Sequence, residues 1–177
     1  MRETGFLVDL LGFGDMHAKM TAAGVLWRLV RENPTALHSI AAAGNATDVV
    51  TLLKAGTPDA CSYALWALSL SIDADTQATV LAEGGVKPLV RFLTNPGQLE
   101  REQGAAALAR LAKSNKETQL AITKAGAISH LVSMLDAESN VAAAQEFAAA
   151  TLAELALLKD SRKSIVATGG VIPLVAL

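Results

Sequence analysis

Three histidines and one cysteine are the side chains of this sequence best suited to hold a metal. A zinc site needs three or four such ligands at close, recurring spacing. His17, His38 and His130 are too far apart in sequence to make a motif, and Cys61 has no second cysteine near it. Cys61 therefore reads as a small buried hydrophobe. Gly12-Phe13-Gly14 lacks the Lys-Ser/Thr and the preceding strand of a phosphate loop, and it reads as a turn between helices. No Ser/His/Asp or Cys/His set has the arrangement of a nucleophilic site. Glu100, Arg101 and Glu102 open a helical segment, where acidic side chains suit the helix dipole. Glu146 and Glu154 share another helical segment and need no catalytic explanation. The expectation is a chain that is not an enzyme, with no cofactor and no metal.

Composition narrows the field further. The chain has 177 residues, 51% of them hydrophobic but only 4% aromatic. The apolar content is largely alanine and leucine, which favour helix and let helices approach closely. The net charge of −2 gives no basic excess of the kind that binds nucleic acid. A single cysteine allows no intrachain disulfide and suits a reducing compartment. The apolar stretch from Phe6 to Phe13 is interrupted by Asp9, so it does not read as a secretory signal. Val141 to Leu158 contains Gln145, Glu146 and Glu154, so it does not read as a membrane span. These features predict a soluble protein of the cytoplasm, with the nucleus also open to it.

The elements that would position any site are set by a repeat. Gly44, Gly84, Gly126 and Gly169 are separated by 40, 42 and 43 residues. Each stands four residues after a β-branched residue (Ile40, Val80, Ile122, Ile165) and six before a valine (Val50, Val90, Val132, Val175). The apolar pattern around the valine recurs as Val49-Val50-x-Leu52-Leu53, Leu89-Val90-x-Phe92-Leu93 and Leu131-Val132-x-Met134-Leu135. It is also present as Leu7-Val8-x-Leu10-Leu11 near one end and Leu174-Val175-x-Leu177 at the other. An Ala/Leu-rich segment completes each unit, with leucines at Leu26, Leu65, Leu108 and Leu152. A period of about 40–47 residues belongs to helical solenoids.

Each repeat therefore reads as short helix, glycine turn, short helix, turn, longer helix. First helices are expected near 35–42, 76–83, 117–124 and 161–168. Second helices are expected near 5–12, 46–54, 86–94, 127–135 and 171–177. Third helices are expected near 15–32, 58–71, 98–113 and 140–158. Asp15 and Thr57 are the expected N-caps of the first two third helices, with Pro58 at the first helical position of the second. Asn33-Pro34 and Asn95-Pro96-Gly97 supply turns. Glycine fits the sharp corner between first and second helices because it accepts torsions that strain a Cβ.

Gly84-Gly85-Val86-Lys87-Pro88-Leu89-Val90-Arg91-Phe92-Leu93 resembles the second helix of the armadillo-repeat family, as does Gly169-Gly170-Val171-Ile172-Pro173-Leu174-Val175. Gly104-Ala105-Ala106-Ala107-Leu108-Ala109-Arg110-Leu111-Ala112 resembles its third helix. The resemblance spans nearly the whole chain. It implies an all-α, right-handed α-α superhelix of three-helix repeats, with third helices lining a concave groove that takes extended peptides. The predicted organisation is one armadillo-repeat domain over 1–177: a partial repeat 1–33, repeats 34–74, 75–115 and 116–159, and a partial repeat 160–177. HEAT repeats, with two helices per unit, are the runner-up. The short helix before each glycine turn speaks against them. Both ends carry apolar second-helix patterns without a polar cap, so the chain is expected to be part of a longer array, and its ends could self-associate.

The family's import receptors carry a tryptophan on the third helix and an asparagine four residues later. In this sequence Gly24, Tyr63, Ala106 and Ala150 stand at the tryptophan position, and Arg28, Ala67, Arg110 and Glu154 at the asparagine position. None matches. Trp27 and Trp66 each stand one residue before the asparagine position, which turns their side chains about 100° away from it. Import-receptor function is not implied. Stepping along the third helices instead gives a modest basic strip of Arg28, Arg31, Arg110 and Lys113, with Tyr63 as an aromatic anchor and Gln103 on the same face. Trp66 joins these as a candidate contact, with packing between repeats as its competing role. The strip suits an acidic extended peptide, because arginine offers bidentate contacts to carboxylates. The resulting expectation is a protein-interaction scaffold binding a protein or peptide partner, with neither nucleic acid nor membrane. The alternatives are the substrate-recruiting segment of a larger ubiquitin ligase and a structural armadillo protein of the cytoskeleton or axoneme.

Overall fold

The computed structural model describes residues 7, 9–11, 13–32, 46–55, 57–70, 73–136 and 141–176. The chain divides into two compact units, Met1–Gly85 and Val86–Leu177. The helices of the first are α1 (Met16–Glu32), α2 (Ala46–Ala55), α3 (Pro58–Leu70) and α4 (Ala74–Ala82). Those of the second are α5 (Val86–Phe92), α6 (Gln98–Ala112), α7 (Lys116–Lys124), α8 (Ala127–Ser133), α9 (Ala142–Leu155), α10 (Lys159–Ala167) and α11 (Val171–Ala176). No strand occurs among the described residues. The first helix expected near 35–42, Gly44 and the Asn33-Pro34 turn lie outside the described residues. Residues 5, 6, 8 and 12 of the helix expected near 5–12 also lie outside, and the other helices fall where the glycine period puts them, within a few residues.

Side-chain caps start several helices. Asp15 Oδ1 accepts from Ala18 N at 2.8 Å, and Thr57 Oγ1 from Ala60 N at 3.4 Å. Asp73 and Asn115 do the same for α4 and α7, accepting from Thr76 N at 2.7 Å and Thr118 N at 3.1 Å. Each satisfies an amide that has no partner inside its own helix. The Asp73 carboxyl sits below its ordinary range because Thr76 donates hydrogen bonds to it.

The glycine turns work by two separate means. Gly84, Gly126 and Gly169 have φ of 68°, 81° and 76°, in the left-handed region that strains a Cβ. Gly85 N then bonds Val80 O at 2.8 Å and Gly170 N bonds Ile165 O at 2.9 Å, closing the first helix. The second glycine of each pair is needed for space. A Cβ on Gly85 would stand 3.0 Å from both Val50 Cγ2 and Val80 Cγ1. A Cβ on Gly170 would stand 2.8 Å from Val132 Cγ2 and 3.1 Å from Ile165 Cγ2. Val50 and Val132 are the repeat valines of the preceding second helices, so one repeat's valine seats on the next repeat's glycine. Where the pair reads Gly126-Ala127, the methyl is accommodated and Ala127 is fully buried.

The core follows the same period. Leu26, Leu65, Leu108 and Leu152 of the third helices are all fully buried, as are Leu89 and Leu131 of the second helices. In the first unit α1 packs beside α3, and α2 packs on α3 and α4. In the second unit α6 packs beside α9, while α5 and α8 lie against them. The period stops predicting burial at α11, where Ile172 and Val175 are 80% and 82% exposed.

A further rule was missed in the sequence. The fourth residue of α6, α7, α9 and α10 is Arg101, Gln119, Gln145 and Arg162, and each reaches back to a carbonyl of the preceding segment. Gln119 Nε2 donates to Ala112 O at 2.9 Å, and Gln145 Nε2 to Leu135 O at 2.8 Å. Arg101 Nη1 donates to Asn95 O at 2.9 Å, and Arg162 Nη1 to Ala156 O at 2.7 Å. These carbonyls lie at or just past helix ends, where the helical ladder runs out, and Ala112 O takes only a long bond from Asn115 N, at 3.4 Å. Gln77 stands at the same place in α4 and is also buried.

Two substitutions test this account. Gly170→Ala should destabilise the fold by about 1–3 kcal/mol through overpacking against Val132 and Ile165. Gln119→Leu should cost about 1–3 kcal/mol by leaving the buried Ala112 carbonyl with only the long bond from Asn115 N and by removing a donor from Glu154. Urea unfolding followed by circular dichroism measures both. Wild-type midpoints for both variants would contradict these roles.

Candidate functional site

The side-by-side third helices of each unit carry the candidate site. In the second unit, Thr151 Oγ1 of α9 donates to Phe147 O at 2.8 Å and lies 3.5 Å from Ala105 O of α6. Three residues further along α9, Glu154 Oε2 accepts from Ser114 N, just past the end of α6, at 3.2 Å. Moving forward on α9 thus moves forward on α6, so the two helices run parallel. Their close approach follows from alanine: Ala105, Ala106, Ala144 and Ala148 are all buried.

A cleft of about 330 Å³ opens along this pair. Ala106, Ala109 and Ala150 are its small residues, with Phe147 beside them, Glu146 towards one end, and Arg110, Lys113 and Glu154 towards the other. Glu154 also has a structural task, because its Oε2 takes Gln119 Nε2 at 3.2 Å as well as Ser114 N. Ser114 needs that support, since its φ of 54° is left-handed. In the first unit a cleft of about 240 Å³ is lined by Thr21, Gly24 and Arg28 of α1, with Thr57 and Asp59 at the start of α3. There Arg28 Nη2 pairs with Asp59 Oδ2 at 3.0 Å. Both partners are well exposed, so the pair adds little to stability.

The structure sorts the expected site residues. Arg28 is exposed in the first unit, and Arg110 and Lys113 are exposed in the second. Arg31 belongs to α1, but its side chain lies outside the described residues. Tyr63, Trp66 and Gln103 are buried, at 1%, 8% and 7% exposed. Tyr63 and Trp66 pack on one another, with ring centroids 5.8 Å apart. They serve the interior because the flanking positions are alanine: Ala60 and Ala67 are buried too, so this face of α3 is covered. The Tyr63 hydroxyl and Gln103 Oε1 are buried with no hydrogen-bond partner among the described residues. Phe147 and Glu146 were not singled out as contacts by the sequence, although Phe147 followed from the same helical stepping.

No three His, Cys, Asp or Glu side chains converge as metal ligands among the described residues. No described helix is long and apolar enough to cross a membrane.

Comparison with known proteins bears on the fold. No family model matches the sequence, and no curated protein matches it. Solved structures do. A designed armadillo repeat protein in complex with the peptide (KR)4 matches at 23% identity with a TM-score of 0.72, covering 99% of this chain and 74% of that one. The chain adopts the armadillo-repeat fold. Computationally designed armadillo repeat proteins for modular peptide recognition match at 23% identity and a TM-score of 0.74, covering 97% of this chain and 73% of the other. An engineered protein matches at 30% identity, also with a TM-score of 0.74, covering all of this chain and 72% of that one.

Within this armadillo chain the burial of Tyr63 has a measurable signature. Burial pushes its phenol from the ordinary 10.0 up to about 12, because a phenolate loses its hydration in the interior. The folded chain then keeps a proton that the unfolded chain sheds near pH 10. Stability present below that pH should decline as pH rises towards about 12. Tyr63 is the only tyrosine, so tyrosinate absorbance reports it alone. The expected midpoint is about 12 when folded and about 10 in denaturant. A folded midpoint near 10 would return Tyr63 to an exposed face.

Proposed function

We propose that this armadillo chain is a scaffold that binds an extended segment of a partner protein across its third helices. The observation that carries the reading is the α6–α9 cleft. It combines a floor of small alanine side chains, which lets a partner backbone come close, with exposed charged side chains at its rim. Such an arrangement holds a chain by many modest contacts and reads it through side-chain charge. The first unit offers a smaller cleft of the same origin, beside Arg28. The peptide-bound designed armadillo protein among the structural matches adds support by analogy of fold. In this reading Arg28, Arg110 and Lys113 are contact residues. Tyr63, Trp66 and Gln103 act behind the face by holding its shape.

The test begins with peptides selected from a random library against the intact chain. Arg110→Glu combined with Lys113→Glu should weaken selected peptides at least about tenfold, equivalent to about 1.4 kcal/mol. The variants should keep the wild-type circular dichroism and melting curve, because both side chains are exposed. Unchanged binding by every selected peptide would rule out this face.

A further inference from the structure

The smaller cleft, in the first unit, carries its own ion pair, and that bears on what it accepts. It lies between α1 and the start of α3. Among the described residues, Arg28 is the one lysine or arginine of its lining and Asp59 the one acid. A single hydrogen bond joins them, from Arg28 Nη2 to Asp59 Oδ2 at 3.0 Å. Their side chains are 72% and 45% exposed, so both remain within reach of a bound group. Gly24 stands one turn before Arg28 on the same face of α1. A Cβ there would come within 3.5 Å of Asp59 Cβ and 4.0 Å of its Oδ2. Glycine thus keeps α1 from laying a side chain over the carboxylate. Met20 and Val25 add apolar surface to the lining.

A guanidinium has more N–H donors, and a carboxylate more acceptor sites, than one shared bond uses. The cleft therefore presents a donor and an acceptor side by side, and their charges cancel. A carboxylate brings acceptors only; it suits Arg28 but is repelled by Asp59. An ammonium brings donors only and meets the opposite conflict. A side-chain carboxamide carries an acceptor oxygen and a donor NH2 on one carbon. Its oxygen can accept from Arg28 while its NH2 donates to Asp59, with the methylene stem against Met20 and Val25. A single trans peptide group cannot do this as well, because its N–H and C=O point in opposite directions. We infer that the first unit selects a glutamine or asparagine side chain of the partner segment, held by the Arg28–Asp59 pair acting as one donor–acceptor unit. This selectivity rests on the peptide-scaffold reading. It gives the first unit a neutral ligand where the basic strip by itself suggests an acidic one.

The experiment uses four octapeptides in which glutamine, glutamate, lysine or serine alternates with alanine. Each is titrated into the whole chain, labelled with 15N, while NMR follows the backbone amides of Gly24, Arg28 and Asp59. The glutamine peptide should shift these amides with a midpoint at least about threefold lower than any of the other three. Asp59→Leu should turn the preference to the glutamate peptide, and Arg28→Leu should turn it to the lysine peptide. Both side chains are exposed, so both variants should keep the wild-type melting curve. A tighter glutamate or lysine peptide on the wild-type chain would mean recognition of charge. A serine peptide as tight as the glutamine peptide would mean that the backbone is what binds. An order unchanged in both variants, or amides that none of the four peptides moves, would leave the pair without this role. Each of these results overturns the amide inference and leaves the scaffold reading standing if library-selected peptides bind. If library selection also fails, both fall.

Discussion

The contact between a second-helix valine and a turn glycine one repeat later carries the architecture. At Val50 against Gly85 and Val132 against Gly170, consecutive blocks pack so closely that a Cβ would not fit. A block of about forty residues cannot cover its own apolar face, so its stability depends on the next block. The glycine pair serves this need twice over. Its first member turns the chain, and its second removes the Cβ that would hold the next block away. Val80 and Ile165, four residues before each turn glycine, close the same pocket from the other side. The spacing that defines the repeat is thus the spacing of one packing site.

Helix ends are the second constraint. A chain that changes direction at every helix leaves many carbonyls without amide partners, some of them buried. Here a long donor at the fourth residue of the following helix returns to satisfy them. Gln119 and Gln145 do so in the interior. Arg101 and Arg162 do so nearer the surface. This ties each turn to the helix after it. Glu154 serves an amide instead of a carbonyl: it lines the cleft and also accepts from the left-handed Ser114.

Function then sits on what this scaffold leaves over. Third helices can lie close because their contact faces are alanine, and the same alanines make a shallow floor beside them. Only the longer side chains at the two ends of each helix rise above that floor. In the second unit these are Glu146 and Phe147 at one end, and Arg110, Lys113 and Glu154 at the other. A parallel pair of helices places unlike ends apart and like ends together.

Much of this was legible in the amino-acid sequence. The period, the glycine turns, the caps at Asp15 and Thr57 and the buried leucines all depend on local torsions or on one helix's own apolar face. Those are properties of residue type and spacing. Helical stepping placed Tyr63 and Gln103 on one face with Arg110 and Lys113, and Trp66 was added as a candidate contact, yet Tyr63, Trp66 and Gln103 are buried and the two cations exposed. A helical period tells which residues share a face, but whether that face is covered depends on what packs over it. The pairing of Glu154 with Ser114 and of Arg28 with Asp59 likewise joins residues 40 and 31 apart in the chain. Local spacing determined the helices and their turns, whereas burial and charge pairing on the third-helix faces were decided only when separate repeats came into contact.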